Sequence, residues 1–380
     1  MQKEFRMIKD KFVNVIDEGS VFSNPDLVFG YCGWPSIVKT ENNELLAVYS
    51  GNRISHLDPF GKVILQRSRD EGKTWSARSI VIETPLDDRD AGILALPGGK
   101  VLVSTFNIHR ERQAGWWKDP STDSNLSNAY LAAVSDEMEK KHFGSLISVS
   151  NDSGFSFEPP FKVPVTAPHG PSLCKDGSVI YAGPYFPHYT HENKIGIYKS
   201  GDLHNFQLLT DLIINHDEKG VFCSEPHIIE LKSGRLVLHL RTQHEKKPTT
   251  QGGFFTILQS VSDDKGKTFS VPKKTGVEGS PPHLLQHSSG TLICTYGRRK
   301  PPYGIQAMFS NDDAETWDTN YFIWNRGTDG DLGYPASVEL SNGDILTVYY
   351  AKIFGQKLTS ILWTRWQLPS QLPSQLPQQS

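Results

Sequence analysis

The residues of this chain that could do chemistry are spaced by a common ruler. Nine residues before each of six small turns, at Asn43, Gly99, Gly177, Gly234, Gly290 and Gly343, stand Trp34, Asp90, Pro168 beside His169, Glu225, Pro281 near His283, and Tyr334. The apolar runs that follow those turns end on a second set: Arg53, His109, Tyr185, Arg241 and Arg298. A tyrosine, two carboxylates, several histidines and a group of arginines are the side-chain types of proton transfer and anion binding. Each alone is an ordinary polar residue. Their shared offset from a turn is what groups them.

The elements that must hold them follow from the same pattern. LLAVYSGNR, VLVSTFN, VIYAGPY, LVLHLRT, LICTYGRR and ILTVYYA are alternating, β-rich runs, so they read as strands, and the tight turns before them make hairpins. Turn-to-turn intervals of 56, 78, 57, 56 and 53 residues leave room for two more strands per repeat. A second motif occupies that room: residues 68–75, 150–157, 262–269 and 310–317 spell S-x-D-x-G-x-T/S-W/F, nearly so in the last, and 199–206 is a decayed copy. The pattern describes a tight turn whose Asp and Ser oxygens bond turn amides and whose Gly takes φ > 0. The predicted fold is therefore all-β: a six-bladed β-propeller of four-stranded antiparallel blades with Asp-box turns. In such a blade the first strand begins, and the second ends, on one face of the disc, while the box turn lies on the other. The candidates thus gather at one mouth, and the boxes are structural.

Residues 1–366 are expected to form a single propeller, with the N-terminal run 12–16 supplying the fourth strand that the last repeat lacks. Residues 367–380, with Gln-Leu-Pro-Ser repeated, form a low-complexity tail. The second repeat carries extra length over 108–128, including Trp116 and Trp117. With 37% hydrophobic residues, 32 Gly and 24 Pro, the composition suits many short strands. A net charge of −3 with scattered Lys and Arg argues against a nucleic acid partner, and no apolar run is long enough for membrane insertion. Cys32, Cys174, Cys223 and Cys294 lack metal-ligand spacing and read as structural thiols. The N-terminus shows no secretory signal, so the chain as given reads as cytoplasmic, or as periplasmic or secreted if a leader was removed. No cofactor fingerprint is present.

Beyond the boxes, Ser224-Glu225-Pro226-His227 running through Gly234 to Arg241, and Gly333-Tyr334 followed by Gly343, resemble the sialidase (neuraminidase) superfamily of Asp-box propellers. The resemblance spans about residues 30 to 366. It implies an exo-glycoside hydrolase acting on a carboxylate-bearing terminal sugar or glycoconjugate, with Tyr334 as nucleophile, Glu225 as its base and Asp58 as acid/base. His56 is an alternative occupant of the last role. It further implies that Arg241 and Arg298, or its neighbour Arg299, hold the substrate carboxylate. The family's Arg-Ile-Pro motif is matched here by Gly33-Trp34-Pro35, so the first arginine of a three-arginine cluster is absent, and Arg53 or Arg89 would have to replace it. Asp90, His56, His109 and His169 complete the expected substrate-binding rim.

Two other readings stay open at this level. A uronate lyase on the same fold would use His56, His109, His169, His227 and Tyr185 for proton abstraction, with Arg on the carboxylate. A non-catalytic glycan-binding propeller would need none of this chemistry. No metal site has clear ligand spacing, and the run Asp87-Asp88-Arg89-Asp90 reads as exposed acidic residues rather than a calcium site.

Overall fold

A computed structural model describes residues 11–115, 122–186, 193–215, 221–244 and 255–370. Their strands form six antiparallel four-stranded sheets in chain order, the blades of a propeller, with one short parallel strand added to the fifth. The first strands are Tyr31–Lys39, Asp87–Leu96, Ser172–Leu173, Val221–Glu230, Pro282–Gln286 and Gly333–Glu339. The second strands are Leu45–Arg53, Lys100–Ile108, Val179–Pro184, Leu236–His244, Leu292–Arg298 and Ile345–Ala351. Apolar residues alternating along these strands fill the wedges between blades. Ile37, Leu45 and Ala47 of blade 1, for example, are buried with Ala336, Leu346 and Val348 of blade 6.

Asn14–Phe22 is the outer strand of blade 6, pairing antiparallel with Ser360–Gln367 so that Asn14 faces Gln367 and Gly19 faces Trp363. The run expected there, 12–16, is displaced because Lys11–Phe12 pairs in parallel with Asp318–Trp324 of blade 5. The N-terminal segment therefore ties two neighbouring blades together.

The repeated turns are built as their composition demands. In the first, Ser68 Oγ accepts the Gly72 amide at 2.8 Å, Asp70 Oδ1 accepts the Thr74 amide at 2.9 Å, and the Thr74 hydroxyl donates to Asp70 Oδ2 at 2.6 Å. The same bonds recur around Asp152, Asp264 and Asp312. The glycine position is left-handed at Gly72, Gly154 and Gly266, and Ala314 adopts the same conformation with φ +68°. In the decayed copy, Asp202 still collects the His204 and Asn205 amides.

Helices Arg110–Ala114, Thr122–Ala133 and Asp136–His142 separate the second and third strands of blade 2, so the insertion extends past the expected 108–128. Ser135 caps the last helix by accepting the Met138 amide. Trp116, Trp117, residues 1–10 and most of the tail, 371–380, lie outside the described residues. The four cysteines are free and buried. Among the described residues, no helix is long and apolar enough to cross a membrane.

Candidate active site

Four of the six first strands begin with the same distortion. Pairing with the second strand breaks between Gly33 and Ser36, Arg89 and Gly92, Ser224 and His227, and Gly333 and Ala336. Inside these breaks Trp34, Asp90, Glu225 and Tyr334 have φ of +52°, +48°, +47° and +49°. These are the residues that stand nine positions before the turns. A positive φ is costly for residues with a Cβ, on the order of 1–3 kcal/mol each, and such outliers gather at functional sites. Proline follows Trp34, Glu225 and Tyr334, so the distorted strand carries no amide there to leave unpaired. Blades 3 and 5 carry Pro168 and Pro281 at the matching position, whose rings hold φ near −65° and exclude this bulge.

The bulges turn their side chains into a cavity of about 820 Å³ lined by all four residues. On its floor the Tyr334 hydroxyl donates to Glu225 Oε1 at 2.7 Å. Arg241 Nη1 donates to both Glu225 oxygens, at 2.7 and 2.6 Å, and reaches the Tyr334 oxygen at 3.1 Å. Burial would raise the Glu225 carboxyl, but the Arg241 charge, the bonds from Arg241 and Tyr334, and Arg299 outweigh it and hold it below its ordinary value. Burial, with the Glu225 and Asp90 charges, drives the Tyr334 phenol well above its ordinary value. Glu225 is thus a carboxylate and Tyr334 a neutral phenol.

Asp90 shares this floor in a different state. Its Oδ1 is buried without a hydrogen-bond partner, and burial, followed by the Glu225 charge, pushes its carboxyl up to about 7. Two carboxyls in one cavity are therefore driven apart, a pattern that separates acid from base. Arg299 stands over the Phe255 and Tyr334 rings at 5.4 and 5.6 Å, with Nε and Nη2 buried and unbonded; Arg241 Nε is likewise unbonded. Trp34, 1% exposed, packs against the guanidinium groups of Arg89 and Arg53, 4.1 and 4.8 Å from its ring.

Several expected residues are placed elsewhere. Asp58 is fully buried off the cavity, where its carboxylate accepts the amides of Ile54, Ser55 and Phe60 at 2.7–2.9 Å and clamps its own loop. Arg298, the last residue of its strand, points to the Pro301 carbonyl, and Arg299, the first residue past the strand, lines the cavity instead. Arg53 is consumed by a buried bidentate pair with Asp87, at 2.5 and 3.0 Å, and does not line the cavity. Arg89 does line it, and also bonds Asp87 and the His56 carbonyl.

Asp87 and Asp88, expected to be exposed, are fully buried, the second bonded to the Thr84 amide and hydroxyl. His109 packs edge-on against Phe143, 3.4 Å from Glu139. His169 lies off the cavity lining in a buried imidazole cluster with His227 and His283, ring centres 4.6–5.7 Å apart. A Cβ at Gly33 would be in ordinary contact with Tyr350 and Tyr31, and its neighbour Trp34 lines the cavity.

His56 lines the cavity wall, edge-on to Trp34 at 5.0 Å. Its Nδ1 lies 2.9 Å from both Asp331 Oδ1 and the Tyr31 oxygen, and Tyr31 also donates to Asp331 at 2.9 Å. Asp331 went unrecognised in the sequence; its one signal is the turn-rich Gly-Thr-Asp-Gly-Asp run just before Tyr334. Among the described residues, no group of three His, Cys, Asp or Glu is arranged to hold a metal ion.

Solved structures similar to this chain share its fold. A protein of unknown function from Dyadobacter fermentans is 21% identical over 94% of this chain and 99% of its own, with a TM-score of 0.73. The NanB sialidase of Streptococcus pneumoniae is 14% identical over 92% of this chain and 70% of its own, with a TM-score of 0.62. An α-L-arabinanase of Penicillium chrysogenum is 14% identical over 93% and 98%, also at 0.62. At these identities the likeness is one of fold. No family model and no curated protein matches the chain.

Proposed function

We propose that the cavity is the active site of a glycoside hydrolase that removes a terminal sugar bearing a carboxylate, with Tyr334 as nucleophile and Glu225 as its base. The observation that carries this reading is the 2.7 Å hydrogen bond from Tyr334 to Glu225, held by Arg241 on the cavity floor. A phenol is a poor nucleophile until its proton leaves, so attack requires transfer to Glu225 as the new bond forms. A neutral tyrosine suits an anomeric carbon flanked by a carboxylate, which would repel an anionic nucleophile. Tyrosine nucleophiles are an exception to the two-carboxylate scheme of glycosidases.

The lining charges support an anionic substrate: Arg89, Arg112, Lys194, Arg241 and Arg299 stand against Asp90 and Glu225. The unbonded N–H groups of Arg241 and Arg299 are donors of the kind that bind a carboxylate. Asp90, roughly half protonated near pH 7, limits the second negative charge beside Glu225 and can meet a sugar hydroxyl. Sialidases and arabinanases among the structural neighbours support a sugar substrate.

The lyase reading loses ground because His109, His169 and His227 do not line the cavity and the Tyr185 hydroxyl donates to Asp211. The binder reading gives no reason for a Tyr–Glu couple held on two strained residues. The deciding experiment assays the wild type and Tyr334→Phe on nitrophenyl glycosides of sialic acid, glucuronic acid, rhamnose and arabinofuranose. Nitrophenol release that disappears in the variant is expected for the sialoside. An unsaturated uronate product would make the protein a lyase, and binding without turnover a lectin-like scaffold.

A further inference from the structure

Cleaving a glycosidic bond to an ordinary alcohol requires a proton on the leaving oxygen. The floor couple does not supply it, because Glu225 takes the Tyr334 proton. The nucleophile stands on the floor, so in-line attack puts the leaving oxygen on the mouth side of the sugar, and its proton donor must come from the wall. Asp58 is occupied by three amides. Asp90 occupies the same strand-start bulge as Tyr334, and the Glu225 charge acts strongly on it, so it belongs with the floor couple rather than with the wall. Tyr185 gives its proton to Asp211. His56, on the loop after the second strand of blade 1, remains.

Its partners fix its tautomer. Asp331, despite its burial, is held down to about 2 by its bonds with His56 and Tyr31 and by the Lys352 charge, so it is a carboxylate. Tyr31 has one proton and donates it to Asp331. Nδ1 of His56 therefore carries a proton, and Nε2, on a ring that lines the cavity, is the nitrogen that gains and loses one.

We propose that His56, backed by Asp331, is the proton donor and acceptor of this hydrolase, a role that rests on the glycoside hydrolase reading above. In the first step Tyr334 Oη bonds the anomeric carbon and passes its proton to Glu225, while the glycosidic C–O bond breaks and the leaving oxygen takes the Nε2 proton of the His56 imidazolium. In the second, water bonds the anomeric carbon and gives a proton to Nε2, the Tyr334–carbon bond breaks, and Glu225 returns the proton to Tyr334. Asp331 is the positioning residue, stabilising the imidazolium as the carboxylate of a His–Asp pair does. Asp331 and Tyr31 face the ring on one side. Burial, and then the Arg89 and Arg299 charges, hold the His56 imidazole below its ordinary value against the pull of Asp331, with Arg53 on the His56 carbonyl and Lys352 behind Asp331 acting in the same sense, so the acid form is favoured below neutral pH.

The test uses the methyl and nitrophenyl glycosides of whichever sugar the wild type cleaves, since nitrophenolate leaves without a proton and methanol does not. His56→Gln is expected to lose about 10²- to 10⁴-fold in kcat/KM on the methyl glycoside and less than about tenfold on the nitrophenyl glycoside. Asp331→Asn is expected to show the same selectivity, smaller in size, and to move the alkaline limb of the pH profile to lower pH. Equal losses on both glycosides would overturn the His56 assignment and leave the hydrolase reading standing. No cleavage of any glycoside by the wild type would overturn both.

Discussion

Tyr334 and Glu225 lie 109 residues apart in the chain and 2.7 Å apart in space, and each opens its blade with a left-handed backbone. The two facts are one relationship. An ordinary strand start would keep the ladder paired, and the bulge is what turns both residues into the cavity. The surrounding ladders, continuous from Ala336 to Glu339 and from His227 to Glu230, hold the strain in place.

Removing either member should abolish the same step. Tyr334→Phe and Glu225→Gln are each expected to cut kcat/KM by at least about 10²-fold, and the double variant should be no worse than the poorer single one, because the two act as a unit. Steady-state kinetics on the cleaved nitrophenyl glycoside checks this. Additive losses would mean that the residues act separately.

Arg299 and Arg298 should separate cleanly. Arg299 holds buried donors without partners, so Arg299→Met should leave the melting temperature unchanged or raise it while raising KM for a carboxylate-bearing substrate. A lost charge-assisted bond of about 1.5–3 kcal/mol corresponds to roughly 10- to 100-fold. Arg298→Met, at a side chain that does not line the cavity, should leave KM unchanged. The reverse result would return the substrate to Arg298.

That pair shows where the sequence stopped being legible. Hairpin length is fixed by the turn, so counting nine residues back found Trp34, Asp90, Glu225 and Tyr334, the four bulged positions. Counting forward to the end of a strand is less certain by one residue, which is why the sequence leaves Arg298 and Arg299 as alternatives: the strand ends at Arg298, and the residue that lines the cavity is the one just past it. Arg53 was legible as a rim residue, but its burial against Asp87 is a contact between blades that no local pattern announces. Asp58 carried a signal of the opposite meaning, since Ser-His-Leu-Asp-Pro favours a carboxylate bonded to nearby amides.

The Arg53–Asp87 pair supports the site from behind. Both side chains are fully buried, so Asp87→Ala leaves a buried guanidinium uncompensated beneath Trp34. The expected loss is about 3–5 kcal/mol by urea unfolding. A loss within about 0.5 kcal/mol, the range of a surface substitution, would show that water replaces the carboxylate.

The buried imidazoles set an acid limit on the fold. Burial, and then neighbouring imidazoles, drive His169, His227 and His283 well below the ordinary histidine value, and burial pushes His239 down to about 4. Above about pH 7.5 these rings are neutral in both folded and unfolded chains and contribute no pH dependence. Below it the unfolded chain binds protons that the folded one does not, so stability falls as pH falls. Asp88 and Asp90, pushed up to about 7 by burial, act in the opposite sense, staying protonated in the folded chain while ionised in the unfolded one. The depressed imidazoles outnumber the raised carboxyls, so the net slope over this range is a loss of stability as pH falls. His227→Asn, which keeps an acceptor for the Leu284 amide, should reduce that slope by about 1.4 kcal/mol per unit. Urea midpoints between pH 7 and 5 measure both slopes, and equal slopes in variant and wild type would mean that His227 is protonated in the folded chain.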